Sequence, residues 1–254
     1  MEKLLRGIVK YGRTVKPEIL EQCQRIKDAP APKALFFTCM DSRMLPTRFT
    51  QSDVGDMMFI RNAGNIIPGT VTYGRAGSEL QVATETAALD LCVRRLGIRN
   101  VVVCGHSDCK AMNRLHDLHT RPQQFRPDSP LDLWLRRYGF ESLEKLRDRM
   151  ERPRQPLRFL ADMPTVAFEA LVDADDRLCV TDKLSQIHAL QQLENIGSHC
   201  LVRSVLEEEG DAALRLCALW FDVYTADVYC FSRRHKTFRV VDDQSVETLV
   251  DEFR

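Results

Sequence analysis

Three short apolar runs constrain this chain more than any other feature in it. KALFFTC (33–39), MMFIRN (57–62) and NVVVCGH (100–106) are apolar over most of their length, with aromatic and β-branched residues between turn formers. A strand with one wet face alternates polar and apolar residues; a nearly continuous run is covered on both faces, the pattern of parallel sheets. Between the second and third runs, Ser78 to Leu96 places Leu80, Ala83, Ala87 and Leu91 on a helical repeat, and Gly97 supplies a helix stop. Apolar strands alternating with helices predict an α/β fold: a central, mainly parallel β-sheet flanked by helices.

The rest of the chain fills in around that sheet. Asp182 to Ile196 predicts a helix, with Leu184, Ile187, Leu190, Leu193 and Ile196 about three apart. RLCALWFDV (215–223), DVYCFS (227–232) and TFRVVD (237–242), with the turn-like RRHK between the last two, predict antiparallel strands at the sheet edge. Residues 120–165 are charged and Pro-flanked. Their apolar positions Leu131, Trp134, Leu135, Tyr138, Leu143 and Leu146 have helical spacing, with Gly139 as a break. That block predicts a helical insertion packed on the outside of the core. Residues 1–32 predict a helical arm whose Leu4, Leu5, Ile8, Val9, Ile19, Leu20 and Ile26 it cannot bury alone. With no internal repeat, residues 1–254 are expected to form a single domain.

Composition removes several classes of function. Lysine and arginine number 36 and so do the acids, so no net charge draws the chain to nucleic acid or an anionic membrane. No apolar run approaches the ~20 residues that span a bilayer, and no secretory signal is expected. The basic start (Lys3, Arg6, Lys10, Arg13 and Lys16 against Glu2) reads as an ordinary first helix with a solvated face, or as a basic amphipathic targeting helix. An intracellular location follows, cytoplasmic or mitochondrial. Nine cysteines are an odd number in a chain too long to need staples, so a disulfide framework is not expected.

Two of those cysteines sit differently from the rest. Cys39-Met40-Asp41-Ser42-Arg43 ends the first strand, and His106-Ser107-Asp108-Cys109 follows the third. Loops at the carboxyl ends of parallel strands are where open α/β sheets build their sites. Cys39, His106 and Cys109 form a Cys₂His set, which suits a catalytic zinc ion with one open position. Asp41 has two readings. It can close the site by reaching the metal, or it can be held by Arg43 and accept a hydrogen bond from the metal's solvent ligand.

These motifs resemble the β-class carbonic anhydrases, which share Cys-x-Asp-x-Arg (39–43) and His-x-x-Cys (106–109). The likeness runs through GDMMFIRNAGNIIP (55–68) and VVVCGHSDC (101–109), is continuous from about residue 33 to 112, and is patchier beyond. The overall length and the 120–165 region look like the animal members. The resemblance implies reversible, zinc-dependent hydration of carbon dioxide to bicarbonate and a proton, by attack of zinc-bound hydroxide. It places the zinc ligands on Cys39, His106 and Cys109 and the Asp–Arg pair on Asp41 and Arg43. It also implies a homodimer whose N-terminal helices reach over the partner, with dimers able to pair into tetramers. The chain departs from the family pattern at Pro30, where plant-type members carry a substrate-binding glutamine, at Lys110, where glycine is common, and at Phe36, where some bacterial members have tryptophan. No substrate-binding residue is therefore assigned. Two rival functions share the metal set: hydrolysis of carbonyl sulfide or carbon disulfide on the same scaffold, and a non-catalytic zinc or thiol-redox protein. Asp41 and Arg43 argue against the second, because a structural site usually has four protein ligands.

Overall fold

The computed structural model of the chain describes residues 1–70 and 83–254. Its main sheet has six strands among the described residues, lying side by side in the order 57–62, 34–39, 100–106, 215–221, 228–232 and 237–240. The three apolar runs become β1 (Ala34–Cys39), β2 (Met57–Asn62) and β3 (Asn100–His106), mutually parallel, with β1 between the other two. The sheet continues through β6 (Arg215–Phe221), β7 (Val228–Ser232) and β8 (Thr237–Val240).

One strand runs against expectation. β6 pairs parallel with β3, from Asn100 beside Arg215 to His106 beside Phe221, and only β7 and β8 are antiparallel. The reason lies in the connection. A long helical segment separates β3 from β6, so the chain can cross back and re-enter the sheet in the same direction.

The two faces of the sheet are covered unequally. Leu35, Phe37, Val101, Val103, Leu216 and Ala218 face the main core. That core is built with α4 (Thr84–Leu89), α5 (Lys110–Thr120) and α8 (Val180–Ser198). The other face buries Phe36, Met44 and Cys104 and leaves Phe49, Met57, Val102, Leu219 and Phe221 partly covered around them. The four-residue helix α3 (Pro46–Phe49) lies on that side.

The helix expected over 78–96 is partly visible, residues 78–82 lying outside the described residues. α4 runs on into a wider π turn, Asp90–Arg95, and Gly97 stops it with φ +67°. The buried stripe is Ala88, Leu89, Cys92 and Val93, whereas Ala87 and Leu91 of the expected stripe are exposed. The π turn is part of the reason: an extra residue per turn rotates later side chains away from a strict 3.6-residue repeat.

The region 120–165 is largely helical, as α6 (Pro130–Tyr138) and α7 (Phe140–Glu151), with the break at Gly139. It is not merely external. Leu135, Leu143 and Leu146 belong to the main core. The segment ends in β4 (Leu157–Phe159), which pairs with β5 (Phe168–Ala170) in a small second sheet that sequence patterning did not show.

α8 is the central helix and is buried on nearly all sides, not only along its apolar stripe. Its polar residues are tied down: Gln192 accepts from the Ile67 amide at 2.6 Å and Asn195 donates to the Ile67 carbonyl at 2.8 Å. His188 is fully buried against the Ser142 hydroxyl, 2.8 Å from its Nδ1. Burial lowers its pKa to about 4. Below about pH 6.5 the unfolded chain protonates this ring, while the folded chain waits until about pH 4. Stability is therefore lost as pH falls through that window. The linkage amounts to about 2 kcal/mol between pH 7 and pH 5. His188→Gln should flatten that part of the pH dependence, read by denaturant unfolding of both proteins at the two pH values. An unchanged slope refutes the assignment.

The arm is helical as expected. α2 (Lys16–Ile26) docks through Gln22, which bonds Asp53 and the Val54 amide, and through Ile26, which packs against Gly55. α1 (Glu2–Thr14) buries none of its residues, and Leu4, Leu5, Ile8 and Val9 are all more than half exposed.

Candidate metal centre

Because β1 and β3 are parallel neighbours, their carboxyl ends emerge at the same edge of the sheet. Cys39 ends β1, His106 ends β3, and Cys109 follows one turn later as the residue capping α5. All three side chains are buried, and one ligand atom from each lies within 4.8 Å of the others. Cys39 Sγ and Cys109 Sγ are 3.9 Å apart. Two thiolates at about 2.3 Å from a tetrahedral ion stand about 3.8 Å apart, so the pair is already spaced for zinc.

His106 is prepared for the same role. Its Nδ1 lies 2.8 Å from the Ser107 carbonyl, an acceptor only, so this nitrogen carries the proton. That leaves Nε2 with its lone pair, and Nε2 is buried without a hydrogen-bond partner. A backbone acceptor on one ring nitrogen and an orphan lone pair on the other is the arrangement metal-ligating histidines adopt. The strand end is pinned from α8, where Ser185 donates to the His106 carbonyl at 2.7 Å. Gly105 allows that approach: a Cβ there would lie 3.2 Å from the Ser185 carbonyl oxygen.

The electrostatics favour a cation. Cys39 is pulled below the ordinary thiol range, chiefly by the Cys109 thiol donating to it, with the Gly64 and Asp41 amides adding to the effect. The same contact, together with burial, pushes Cys109 up. A dication bound here would allow both thiols to ionise and would cancel their charge. Gly64, at φ +87°, permits its loop to come close to α5, since a Cβ would meet Ala111 Cβ and Met112 Cε at 3.1 Å. Trp134 of α6 donates to the neighbouring Ala63 carbonyl at 3.0 Å, so the insertion supports this loop.

Asp41 and Arg43 lie beside the three ligands as a bidentate pair. Arg43 Nε reaches Asp41 Oδ1 at 2.9 Å and Nη2 reaches Oδ2 at 2.8 Å. The Arg43 amide adds a third bond to Oδ1 at 2.9 Å. Arg43 therefore holds the Asp41 carboxyl well below the usual range, an anion at every pH near neutrality. Arg61 of β2 fixes the backbone beneath, donating to the Cys39 carbonyl at 3.1 Å and the Asp41 carbonyl at 2.8 Å.

All five residues singled out from the sequence thus meet at one sheet edge. Sequence reasoning missed Arg61 and Asp108, whose partners are backbone groups or side chains from another loop. Asp108 touches Arg43 from the second motif, through Oδ2 at 3.0 Å and its carbonyl at 3.1 Å.

Known proteins with related sequences point the same way. The sequence pattern of the carbonic anhydrase family matches residues 34–228. Beta carbonic anhydrase 1 of Caenorhabditis elegans is 48% identical over 253 residues, 99% of this chain and 92% of the relative. Among solved structures, the beta-carbonic anhydrase CcaA aligns with a TM-score of 0.69 at 23% identity, over 96% of this chain and 93% of that one. A tetrameric beta-carbonic anhydrase from Sordaria macrospora aligns with a TM-score of 0.57 at 18% identity, over 91% and 93%. At such identities these two structures speak to the fold alone.

Proposed function

This chain belongs to the β-class carbonic anhydrases, a family of zinc enzymes, and we propose that it catalyses the reversible hydration of carbon dioxide to bicarbonate and a proton. The observation that carries the reading is the three-residue ligand set with the Asp41–Arg43 pair beside it and no fourth protein ligand among the described residues. In this reading Cys39, His106 and Cys109 hold zinc. Bound zinc supplies the Lewis acidity that makes water nucleophilic near neutral pH.

The chain's own residues then shape the step. Two thiolates would neutralise a bound dication, so this set would acidify water less than three neutral imidazoles do. Asp41 offsets that by accepting the hydrogen of the attacking oxygen, which leaves a lone pair aimed at carbon. Arg43 holds Asp41 in its anionic form and in one orientation. The whole chain, residues 1–254, works as one domain with an arm at 1–32 and an insertion at 120–165. Nine free thiols suit a reducing interior, cytosol or mitochondrion. The direct test is stopped-flow hydration of carbon dioxide, beside a carbonyl sulfide assay, on protein of known zinc content. Fully zinc-loaded protein with no hydration activity refutes the reading; faster turnover of carbonyl sulfide transfers it to that substrate.

The working form is a homodimer, which can pair further into a tetramer. α1 offers a face of four exposed aliphatic side chains, and one face of the parallel sheet is only partly covered. Each aliphatic chain is worth roughly 1.5–3 kcal/mol when fully buried, so a second copy that covers them gains appreciably. Light scattering after size exclusion should give at least twice the chain mass at micromolar concentration. Deleting residues 1–28 should weaken that assembly. A monomeric full-length protein, or a deletion without effect, refutes it.

A further inference from the structure

An Asp–Arg pair two residues apart has a weakness. Both partners ride on one loop, so their hydrogen bonds fix each relative to the other but not relative to the metal ligands. Arg61 pins the loop backbone, but nothing in the pair itself stops the two side chains from turning together. Asp108 removes that freedom. It belongs to the other loop, between His106 and Cys109, and at φ +49° its backbone turns within the ligand turn itself. Its Oδ2 accepts from Arg43 Nη1 at 3.0 Å and its carbonyl accepts from Nη2 at 3.1 Å. Arg43 therefore spans two carboxylates, Asp41 from its own loop and Asp108 from the ligand turn.

Asp108 is itself held on three sides. Lys110 Nζ donates to both of its carboxylate oxygens, at 2.9 and 3.0 Å. Asn113 Nδ2 donates to Oδ1 at 3.0 Å, and the Asp108 amide donates to Asp182 of α8 at 2.8 Å. Lys110 and Arg43 place two cations on this carboxylate. Lys110 thus has a partner and a use.

We propose that Asp108 is a positioning residue for the hydration reaction: it clamps Arg43 to the ligand turn and thereby holds the Asp41 carboxylate off the metal. The inference rests on the roles given to Asp41 and Arg43 above. Without the clamp, the freed carboxylate competes with solvent for the metal, and the open form requires a higher pH.

The test uses the full chain and two variants, loaded with zinc for activity and with cobalt(II) for its visible spectrum. Asp108→Gly removes the carboxylate and accepts the left-handed backbone; Asp108→Asn keeps an oxygen acceptor and the same backbone preference. The glycine variant should still bind one metal per chain. Its cobalt spectrum, titrated over about pH 6–9, should show a midpoint raised by about one unit, the equivalent of a tenfold change in balance. Its kcat/KM at neutral pH should fall roughly 10- to 100-fold and recover at higher pH. The asparagine variant should lie close to the parent. Superimposable cobalt titrations for parent and glycine variant overturn the proposal. If the glycine variant fails to hold metal, Asp108→Ser, too short to reach Arg43, is read against the same criterion. The spectrum responds whether or not the chain hydrates carbon dioxide, so failure of the clamp and failure of the enzymatic reading are separately visible.

Discussion

Changing His106 to alanine, or Cys39 to serine, should leave a folded protein that holds almost no zinc and hydrates no carbon dioxide above background. The three candidate ligand atoms already sit within 4.8 Å of one another, so the chain spends little on assembling the site. Zinc bound by small protein sites releases about 10–16 kcal/mol. Shared among three ligands, that is several kcal/mol each, or a loss of affinity on the order of a thousandfold per deletion. The sheet should survive, because β1 and β3 are packed by Leu35, Phe37, Val101 and Val103, which neither change touches. Metal analysis after dialysis and circular dichroism check both halves of the expectation. Full zinc occupancy with full rate in either variant overturns the ligand assignment.

The second large effect separates metal binding from catalysis. Asp41→Asn and Arg43→Ala should each keep one zinc per chain and lose most of the activity, roughly 10- to 100-fold. Their pH behaviour should differ. Arg43→Ala frees an anionic carboxylate that can reach the metal, and rising hydroxide concentration competes with it, so activity returns partly at high pH. Asp41→Asn has no such anion and should show no recovery. In the unmodified protein Asp41 remains ionised far below neutrality because Arg43 donates to it. A pH midpoint near neutrality therefore does not report Asp41. A zinc-loaded structure near pH 7.5 with the Asp41 carboxylate at about 2.0–2.2 Å from the ion would contradict the open form. Undiminished hydration by Asp41→Asn would contradict the role given to Asp41.

Much of this fold and site is legible in the sequence. β1, β2 and β3 announce themselves because parallel strands covered on both faces are written as apolar runs, and the five site residues follow two of those runs directly. What the sequence withheld is adjacency. Cys39 and His106 meet because β1 lies beside β3, and strand order depends on crossovers that no local pattern encodes. β6 was misjudged for the same cause: its alternation reads alike whether its neighbour runs parallel or antiparallel. Past α4 the buried stripe is shifted further by a π turn, which leaves no mark in residue spacing. Burial of polar residues on α8 depends on loop carbonyls and amides around Ile67, over a hundred residues away in sequence. Asp108 gets no role from the sequence because its partner, Arg43, comes from the other motif.

The contact that orients His106 ends on the main-chain carbonyl of Ser107, whereas the contact that orients Asp41 ends on the side chains of Arg43 and Asp108. A saturation scan of every position would record the two very differently. Positions 43 and 108 would stand out, position 108 accepting only a replacement that keeps an oxygen acceptor for Arg43. The imidazole's support would leave no trace of its own, because every amino acid brings the same carbonyl. Sequence drift among relatives is filtered the same way, so half of the scaffolding around this centre is invisible to comparisons based on side-chain identity.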